Sequence, residues 1–408
     1  MRFAVRIQIV IIMVLSLSVF LKGQQIDPNV SDIINNANID TLSKYVKQLT
    51  GEIPVTIDGL EYTIASRYYT TLGNNKAAFY LFETLQSFGL NAQFQDFEER
   101  GRNVYAVQAG KEYPNQMYII CAHYDDGPPG LVAPGADDNA SGTAAVLEAA
   151  RILSKYQTSH SIIYALWDME EAGLVGSRNY ADSAAARGDT ILGVINLDMI
   201  SWDDNNDMNM DIHTQPIANS LKLSDTVRSL NTTYNIGLIP IVKNPGTTAS
   251  DHASFWWSGY SAILLIESFS DFNAYYHTIN DLFSKFNNTF FHKMSKLAIG
   301  TLAILVGVQS PNGVVTSSQV PPDYILNQNY PNPFNPTTII RYHLPTSSHV
   351  SLEVFDVLGR QVITLIDKTQ SSGEYSVMWN ASDCTNGVYI CRFKAGNFYS
   401  TRKMILMK

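Results

Sequence analysis

The chain has 408 residues, too many for one small domain and enough for two ordinary ones. Lysine and arginine number 28 against 37 aspartates and glutamates; the net charge of −9 disfavours nucleic acid or an anionic membrane surface as the main partner. Apolar residues make up 45% and charged residues 16%, which excludes a disordered chain, and three cysteines are too few for a disulfide scaffold.

At the N-terminus, Arg2 and Arg6 precede an apolar run from Ile7 to Leu21, which Lys22, Gly23, Gln24 and Gln25 stop. This pattern predicts a secretory signal peptide over residues 1–23 rather than a membrane anchor, although the small-residue cleavage rule is poorly met. No other segment reads as long and apolar enough to span a bilayer. The mature chain is therefore expected outside the inner membrane, with no membrane span.

Residues 24–310 read as one domain. From Ile33 to Phe97 the pattern is helical, with apolar faces such as Leu42, Tyr45, Val46 and Leu49. Short apolar strands follow at Val104–Val107, Met117–Cys121, Ile162–Trp167, Val194–Leu197 and Ala262–Ile266, with helices between several of them, notably Gly142 to Ser154. Continuous apolar strands alternating with helices predict an α/β fold, a mostly parallel central sheet flanked by helices. Residues 311–322 form a polar, proline-bearing linker. Over residues 323–408 alternation takes over: Val350, Leu352 and Val354 against Ser351, Glu353 and Phe355, a turn at Leu358-Gly-Arg360, and glycines at 373, 387 and 396. This predicts a small all-β sandwich with no cluster of residues suited to catalysis. Cys384 and Cys391 fall within it, and their spacing does not decide whether they pair. Cys121 reads as an inert buried thiol.

In the first domain the chemistry-bearing residues all sit at strand ends. His123 and Asp125 follow one strand. Asp137 and Asp138 lie in the loop before the Gly142 helix. Glu170 and Glu171 follow the strand ending at Trp167, Asp198 ends the next, and His277 follows the last. Sites in open α/β sheets collect there. Two histidines with carboxylates and no cysteine form a ligand set for zinc or a similar divalent ion. One shared carboxylate would give a two-metal site with ions about 3.5–4 Å apart. The adjacent Glu170-Glu171 pair allows one to bind metal while the other acts as a base. Spacing alone leaves open whether Asp137 or Asp138 is shared. No histidine is followed by glutamate, and no Gly-x-Ser-x-Gly elbow or phosphate loop occurs.

Six segments carry a resemblance: His123-Tyr-Asp125, Gly135-Ala-Asp-Asp-Asn-Ala-Ser-Gly142, Glu170-Glu-Ala-Gly-Leu-Val-Gly-Ser177, Asn196-Leu-Asp-Met199, Ser250-Asp-His252, and Tyr276-His-Thr278 with Asp281. Residues 60–305 resemble the co-catalytic di-zinc aminopeptidases of the bacterial leucyl aminopeptidase type, peptidase family M28. The resemblance implies two zinc ions per chain. Asp138 would bridge them, Glu171 and His277 would complete one site, and His123 and Asp198 the other. It also implies Glu170 as general base, Asp125 as the partner of the far ring nitrogen of His123, and a cis peptide after Asp138. His252 has no ligand role in the pattern and reads either as a residue supporting the ligands from behind or as a structural loop residue. Peptides with a free N-terminus are the implied substrates.

A second resemblance lies at the C-terminus. Tyr330-Pro-Asn-Pro-Phe-Asn-Pro-Thr-Thr338, Val354-Phe-Asp-Val-Leu-Gly-Arg360, Asn386-Gly-Val-Tyr389 and the ending Arg402-Lys-Met-Ile-Leu-Met-Lys408 look like the sorting domain of the type IX secretion system. This implies the type IX machinery as a partner, and a secreted or cell-surface location after outer-membrane export. Alternatives remain for the catalytic part. One is a glutaminyl cyclase of the same clan, with one zinc. Another is a carboxypeptidase or dipeptidase, which needs an arginine such as Arg67 or Arg178 in its pocket. The third is a metal-free surface binding module. Phe255, Trp256 and Trp257 suit either an apolar substrate pocket or the core.

Overall fold

The computed structural model describes residues 26–309 and 324–408, apart from Leu131, Tyr330, Ser372 and Asn397. The signal-peptide run and the 311–322 linker lie outside the described residues. Contacts divide the chain into two compact units near residue 313.

The first unit opens with two amphipathic helices, α1 (Pro28–Asn36) and α2 (Ile39–Leu49). Asp27 and Asn38 cap them through side-chain oxygens that accept the Asn29 and Thr41 amides. A small hairpin, β1 (Val55–Ile57) and β2 (Leu60–Tyr62), leads to α3 (Leu72–Ser87), then β3 (Asn91–Phe97), β4 (Gly101–Gln108) and β5 (Tyr113–His123). After α4 (Gly142–Leu153) come β6 (Gln157–Thr158), β7 (His160–Trp167), α5 (Val175–Arg187), β8 (Thr190–Leu197) and β9 (Asn209–His213). The unit closes with α6 (Ser220–Thr233), β10 (Ile239–Lys243), α7 (His252–Trp257), β11 (Ala262–Glu267), α8 (Asn288–Val306) and β12 (Val308–Gln309).

Eight strands form one sheet in the order β10-β9-β11-β8-β5-β7-β4-β3. Its centre, β11-β8-β5-β7, is parallel. The flanks are mixed: β9 runs antiparallel to β11, and β4 and β3 are antiparallel additions beyond β7. The expected α/β sheet flanked by helices is present, and its mixed flanks are an addition to the sequence reading. The segment Ile33–Phe97, expected to be helical, also contains β1, β2 and β3. In β3 the run Asn-Ala-Gln-Phe-Gln-Asp-Phe has buried positions only at Ala92 and Phe97, too sparse for a strand signal. The strands β9 and β10 went unanticipated as well. They are five residues each, and β10 carries Pro240, a residue confined to sheet edges.

Helices cover both faces. The larger core gathers α1, α2, α3, α4, α6 and α8 on one side, and a second cluster packs α5 and α7 on the other. The helix α4 is buried along nearly its whole length, which its alanine-rich sequence permits. In length and composition α8 would span a membrane, contrary to the sequence expectation, but its apolar stripe (Phe290, Phe291, Met294, Leu297) is buried against α1, α4 and α6. Phe255 and Trp256 belong to the core, whereas Trp257 is exposed.

The second unit is all β. β13 (Ile325–Leu326), β14 (Thr337–Leu344) and β17 (Gly373–Asn380) form one sheet. β15 (Ser348–Asp356), β16 (Gln361–Gln370), β18 (Gly387–Ala395) and β19 (Phe398–Leu406) form the other, ordered β16-β15-β18-β19. All pairings are antiparallel among the described strands. Trp379, Tyr342, Phe393 and Leu352 are among the residues of the buried core, the sandwich expected from alternation. Cys384 and Cys391 are unpaired.

Gly142 opens α4 under tight contact. A Cβ there would lie 2.4 Å from Asn139 Oδ1 and 2.6 Å from the Leu197 carbonyl oxygen. Backbone cannot yield as a side chain does, so Gly142→Ala is expected to cost about 1–3 kcal/mol. Chemical denaturation measures this; unchanged stability would show that the strand ends relax around the helix start.

Candidate metal centre

The β5, β7, β8 and β11 strands end on the same edge of the sheet, and each delivers a polar residue there. His123 is the last residue of β5. Glu170 and Glu171 lie three and four residues past β7, Asp198 directly follows β8, and His277 lies in the loop after β11. Asp138 sits in the tight segment Ala136–Ser141 that joins the strand side to α4. There Asp138 (φ −107, ψ 91) and Asn139 leave helical geometry, and the peptide between them is cis.

These residues converge. The ligand atoms of His123, Glu170 and Asp198 lie within 4.8 Å of one another, and so do those of Asp138, Glu171 and His277. Asp138 faces both histidines, with Oδ1 3.2 Å from His123 Nε2 and Oδ2 3.2 Å from His277 Nε2. Asp198 Oδ1 is 3.3 Å from His123 Nε2, and Glu171 Oε2 is 2.8 Å from His277 Nε2. Asp137, the other aspartate of the pair, points elsewhere. Its carboxylate accepts from the Ser201 amide and hydroxyl and from Asn273 Nδ2.

Two buried carboxylates work behind this set. The Asp125 carbonyl oxygen lies 3.2 Å and its carboxylate 3.4 Å from His123 Nδ1, and the two carboxylate oxygens accept the amides of Glu170 and Glu171 at 3.1 and 3.2 Å. Asp281 accepts the Asp137 amide and, at 3.0 Å, the Asp138 amide. The sequence marked Asp281 only as part of a motif; its spacing four residues beyond His277 was the available signal. Ser250, likewise present only in a motif, donates to Asp198 Oδ2 at 2.6 Å and accepts from Asn196 Nδ2 at 2.8 Å. His252 does not reach the carboxylates; its Nε2 bonds the Thr247 carbonyl.

Left-handed backbone occurs here as well as elsewhere in the chain. Met169, Met199 and His277 take the left-handed region at φ 58°, 49° and 55°. Each costs on the order of 1–3 kcal/mol for a non-glycine residue, and such residues gather where geometry is over-determined. Met169 precedes Glu170 and Met199 follows Asp198, so the strained residues flank the converging side chains.

The electrostatics are those of an excess of negative charge. Burial opposes the charged form of His123, but Asp198, Glu170, Asp125 and Asp138 outweigh it and raise the imidazole well above its ordinary value. Burial likewise opposes charge on His277, yet Asp138 and Glu171 raise it to about 10. Burial works to raise Asp138, and the two histidines more than reverse this and hold it low. Glu171 is pushed up to about 7 by burial and then by Asp138. Burial pushes Glu170 well above the carboxylate range, against His123 and with Asp251, Asp198 and Asp125. Two imidazoles and four carboxylates gathered in two groups whose donor atoms lie within 4.8 Å of one another, all oxygen and nitrogen donors, fit a divalent cation.

Arg67 underlies the loop that carries Asp138. It is fully buried, and donates to the carbonyls of Leu49, Tyr124, Pro134 and Gly135 at 2.7–2.8 Å, with Asp126 as its counter-ion at 3.5 Å. The sequence offered no signal for this role. Arg178 lies over the Trp257 ring at 4.2 Å.

Residues 103–302 match the model of peptidase family M28, and residues 328–407 match the secretion system C-terminal sorting domain. A probable zinc metalloprotease of Pyrenophora teres f. teres is 38% identical over 103 residues, 24% of this chain and 21% of the relative. Leucine aminopeptidase 1 of Ajellomyces capsulatus is 26% identical over 257 residues, covering 58% of this chain and 66% of its own length. The chain thus spans less than two thirds of these curated relatives. Among solved structures, the LapA aminopeptidase of Legionella pneumophila superposes with a TM-score of 0.59 at 22% identity, over 69% of this chain and 78% of that one. A glutaminyl cyclase of Porphyromonas gingivalis reaches a TM-score of 0.54 at 19% identity, over 66% and 99%. At these identities the structural likeness is one of fold.

Removing Arg67 alone strands Asp126 as a buried unpaired charge. Arg67→Met is expected to cost about 3–5 kcal/mol in denaturant unfolding, and Arg67→Met with Asp126→Asn to recover part of it. A double variant no more stable than the single one would show that the carbonyl contacts, not the charge pair, hold the loop.

Proposed function

We propose that this chain, which carries a peptidase family M28 domain and a secretion-system C-terminal sorting domain, is an exported zinc aminopeptidase. The observation that carries the reading is Asp138, whose two oxygens each face a different histidine. That arrangement suits one carboxylate shared by two ions, His123 and Asp198 completing one site and Glu171 and His277 the other. With Asp138 as the third donor beside His123 and Asp198, Glu170 is spared for acid–base work. Four carboxylates and two neutral imidazoles would be balanced in charge by two divalent cations. When bound, the zinc ions supply Lewis acidity toward the peptide carbonyl and toward water.

The chain's own residues do the rest. Glu170 takes the proton of the attacking water at its carboxylate and returns it to the departing amine. Asp125 holds His123 through its Nδ1 side and fixes the amides of Glu170 and Glu171, so base and ligand keep one register. Asp281 does the same for Asp138. Arg67, one of the two arginines considered for a substrate carboxylate, is fully buried and holds four backbone carbonyls, which does not suit it to that role. The sorting domain supports export through the type IX machinery after signal-peptide cleavage, with peptides bearing a free N-terminus as substrates.

A panel of aminoacyl amides beside their N-acetylated forms, with and without chelator, tests the activity. Free-amine substrates should be cleaved, blocked ones left intact, and chelation should abolish turnover. Equal cleavage of blocked peptides removes the aminopeptidase reading, and cyclisation of N-terminal glutamine points to the cyclase. Metal analysis should find two zinc ions per chain; one favours the cyclase and none a binding module. Glu170→Gln should lower kcat by about 10²–10⁴-fold while zinc stays bound; retained turnover would reassign the base.

A further inference from the structure

The loop between β10 and α7 carries Ser250 near its end, and the Ser250 hydroxyl bonds Asp198 Oδ2. Something must hold that loop. Thr247 is gripped from both sides: its amide donates to His213 Nδ1 at 3.0 Å, and its carbonyl faces His252 Nε2 at 2.9 Å. We propose that His213 and His252 are positioning residues, a histidine clamp on the Thr247 peptide that sets Asp198 through Ser250. The role in zinc binding rests on the metal reading above; the clamp itself does not.

The partners decide the protonation. A backbone amide can only donate, so His213 Nδ1 carries no proton; a carbonyl can only accept, so His252 Nε2 carries one. Both rings are then neutral Nε2–H tautomers. Burial agrees, lowering His213 to about 4 with help from Lys243 and lowering His252 to about 3. The rings are also locked. His213, at the end of β9, packs against the Phe269 ring at 4.9 Å, and His252, the first residue of α7, meets Trp256 edge-on at 4.4 Å. A Cβ on Gly246 would lie 2.8 Å from His213 Cβ and from the Thr214 nitrogen, so the loop follows the end of β9 closely. The Gly246 amide bonds the Thr214 carbonyl at 2.8 Å, anchoring the loop's start. Near its far end is Ser250, which also accepts from Asn196 Nδ2. With Oδ2 of Asp198 held there, Oδ1 is the oxygen turned to His123. Groups behind metal ligands typically change affinity by roughly 10–100-fold when removed.

The test uses the full secreted chain. Asparagine places an oxygen near the position of Nδ1, and glutamine an N–H near that of Nε2. His213→Asn and His252→Gln should therefore keep zinc retention against a chelator near that of the parent chain. His213→Leu and His252→Leu should weaken retention of one ion by about 10–100-fold and speed amide exchange at Thr247, in metal-free protein as well. Ser250→Ala should reproduce the zinc loss, and adding His213→Leu to it should cause no further loss. Leucine variants with unchanged zinc retention, asparagine and glutamine variants that fall as far as the leucine ones, or additive losses overturn the proposal. If the leucine variants fail to fold, long-range nitrogen–proton spectra of the parent chain decide it: an Nδ1–H tautomer at either ring refutes the clamp. A parent chain that binds no zinc refutes the metal reading, and Thr247 exchange still judges the clamp.

Discussion

Everything at the carboxyl edge of the sheet answers to one constraint: buried carboxylates crowd two imidazoles. Asp138, Glu171 and Asp198 lie within 3.3 Å of a histidine nitrogen, and Asp138 touches both rings. Like charges in a partly dry site repel strongly, and protonated histidines or a bound cation are the ways to offset them. The upward shifts of both histidines and the depression of Asp138 express the same demand. A site that merely needed stability would replace such groups with apolar ones.

The scaffold meets that demand by fixing backbone rather than side chains. Asp125 ties the Glu170-Glu171 peptides to the end of β5, and Asp281 ties Asp137 and Asp138 to the loop that bears His277. Each carboxylate therefore joins two strand ends. The left-handed residues Met169, Met199 and His277 occur beside or within the same set. These local costs persist because the surrounding hydrogen bonds leave the chain no alternative path. Arg67 extends the scheme outward, reading four carbonyls from three segments beneath the Asp138 loop.

Sequence and structure part company in an instructive way. The parallel centre was legible because β5, β7, β8 and β11 each contain an apolar run; His123 and Asp198 lie at the ends of two of them, and Glu170, Glu171 and His277 follow in the loops beyond the other two. The flanks were hidden because β3 and β9 interleave polar residues over short lengths and β10 contains a proline. The apolar character of α8 was masked by His292, Lys293 and Lys296, which sit on its less buried side. Spacing could not separate Asp137 from Asp138. The difference lies in two non-helical residues that turn Asp138 toward the histidines while Asp137 remains on Ser201. Arg67 and Ser250 were beyond reach for another reason: each acts through long-range contacts that no local pattern encodes.

The two units also divide the physical tasks. In the second unit the buried core is mainly apolar and aromatic, with a few buried polar residues such as Asn329 and Thr338 bonded to one another, and ion pairs such as Arg360 with Asp356 lie outside that core. Both metal-capable groups among the described residues belong to the first unit. The acidic excess of the whole chain thus has two physical meanings. Many of its carboxylates are exposed or buried against backbone, hydroxyl and arginine donors, and a few are confined where imidazole or a cation must balance them. Confinement carries the chemical consequence: a carboxylate in water is indifferent to its neighbours, whereas Asp138, held between two rings by Asp281 and the turn at Asn139, can be satisfied only by charge on both sides at once.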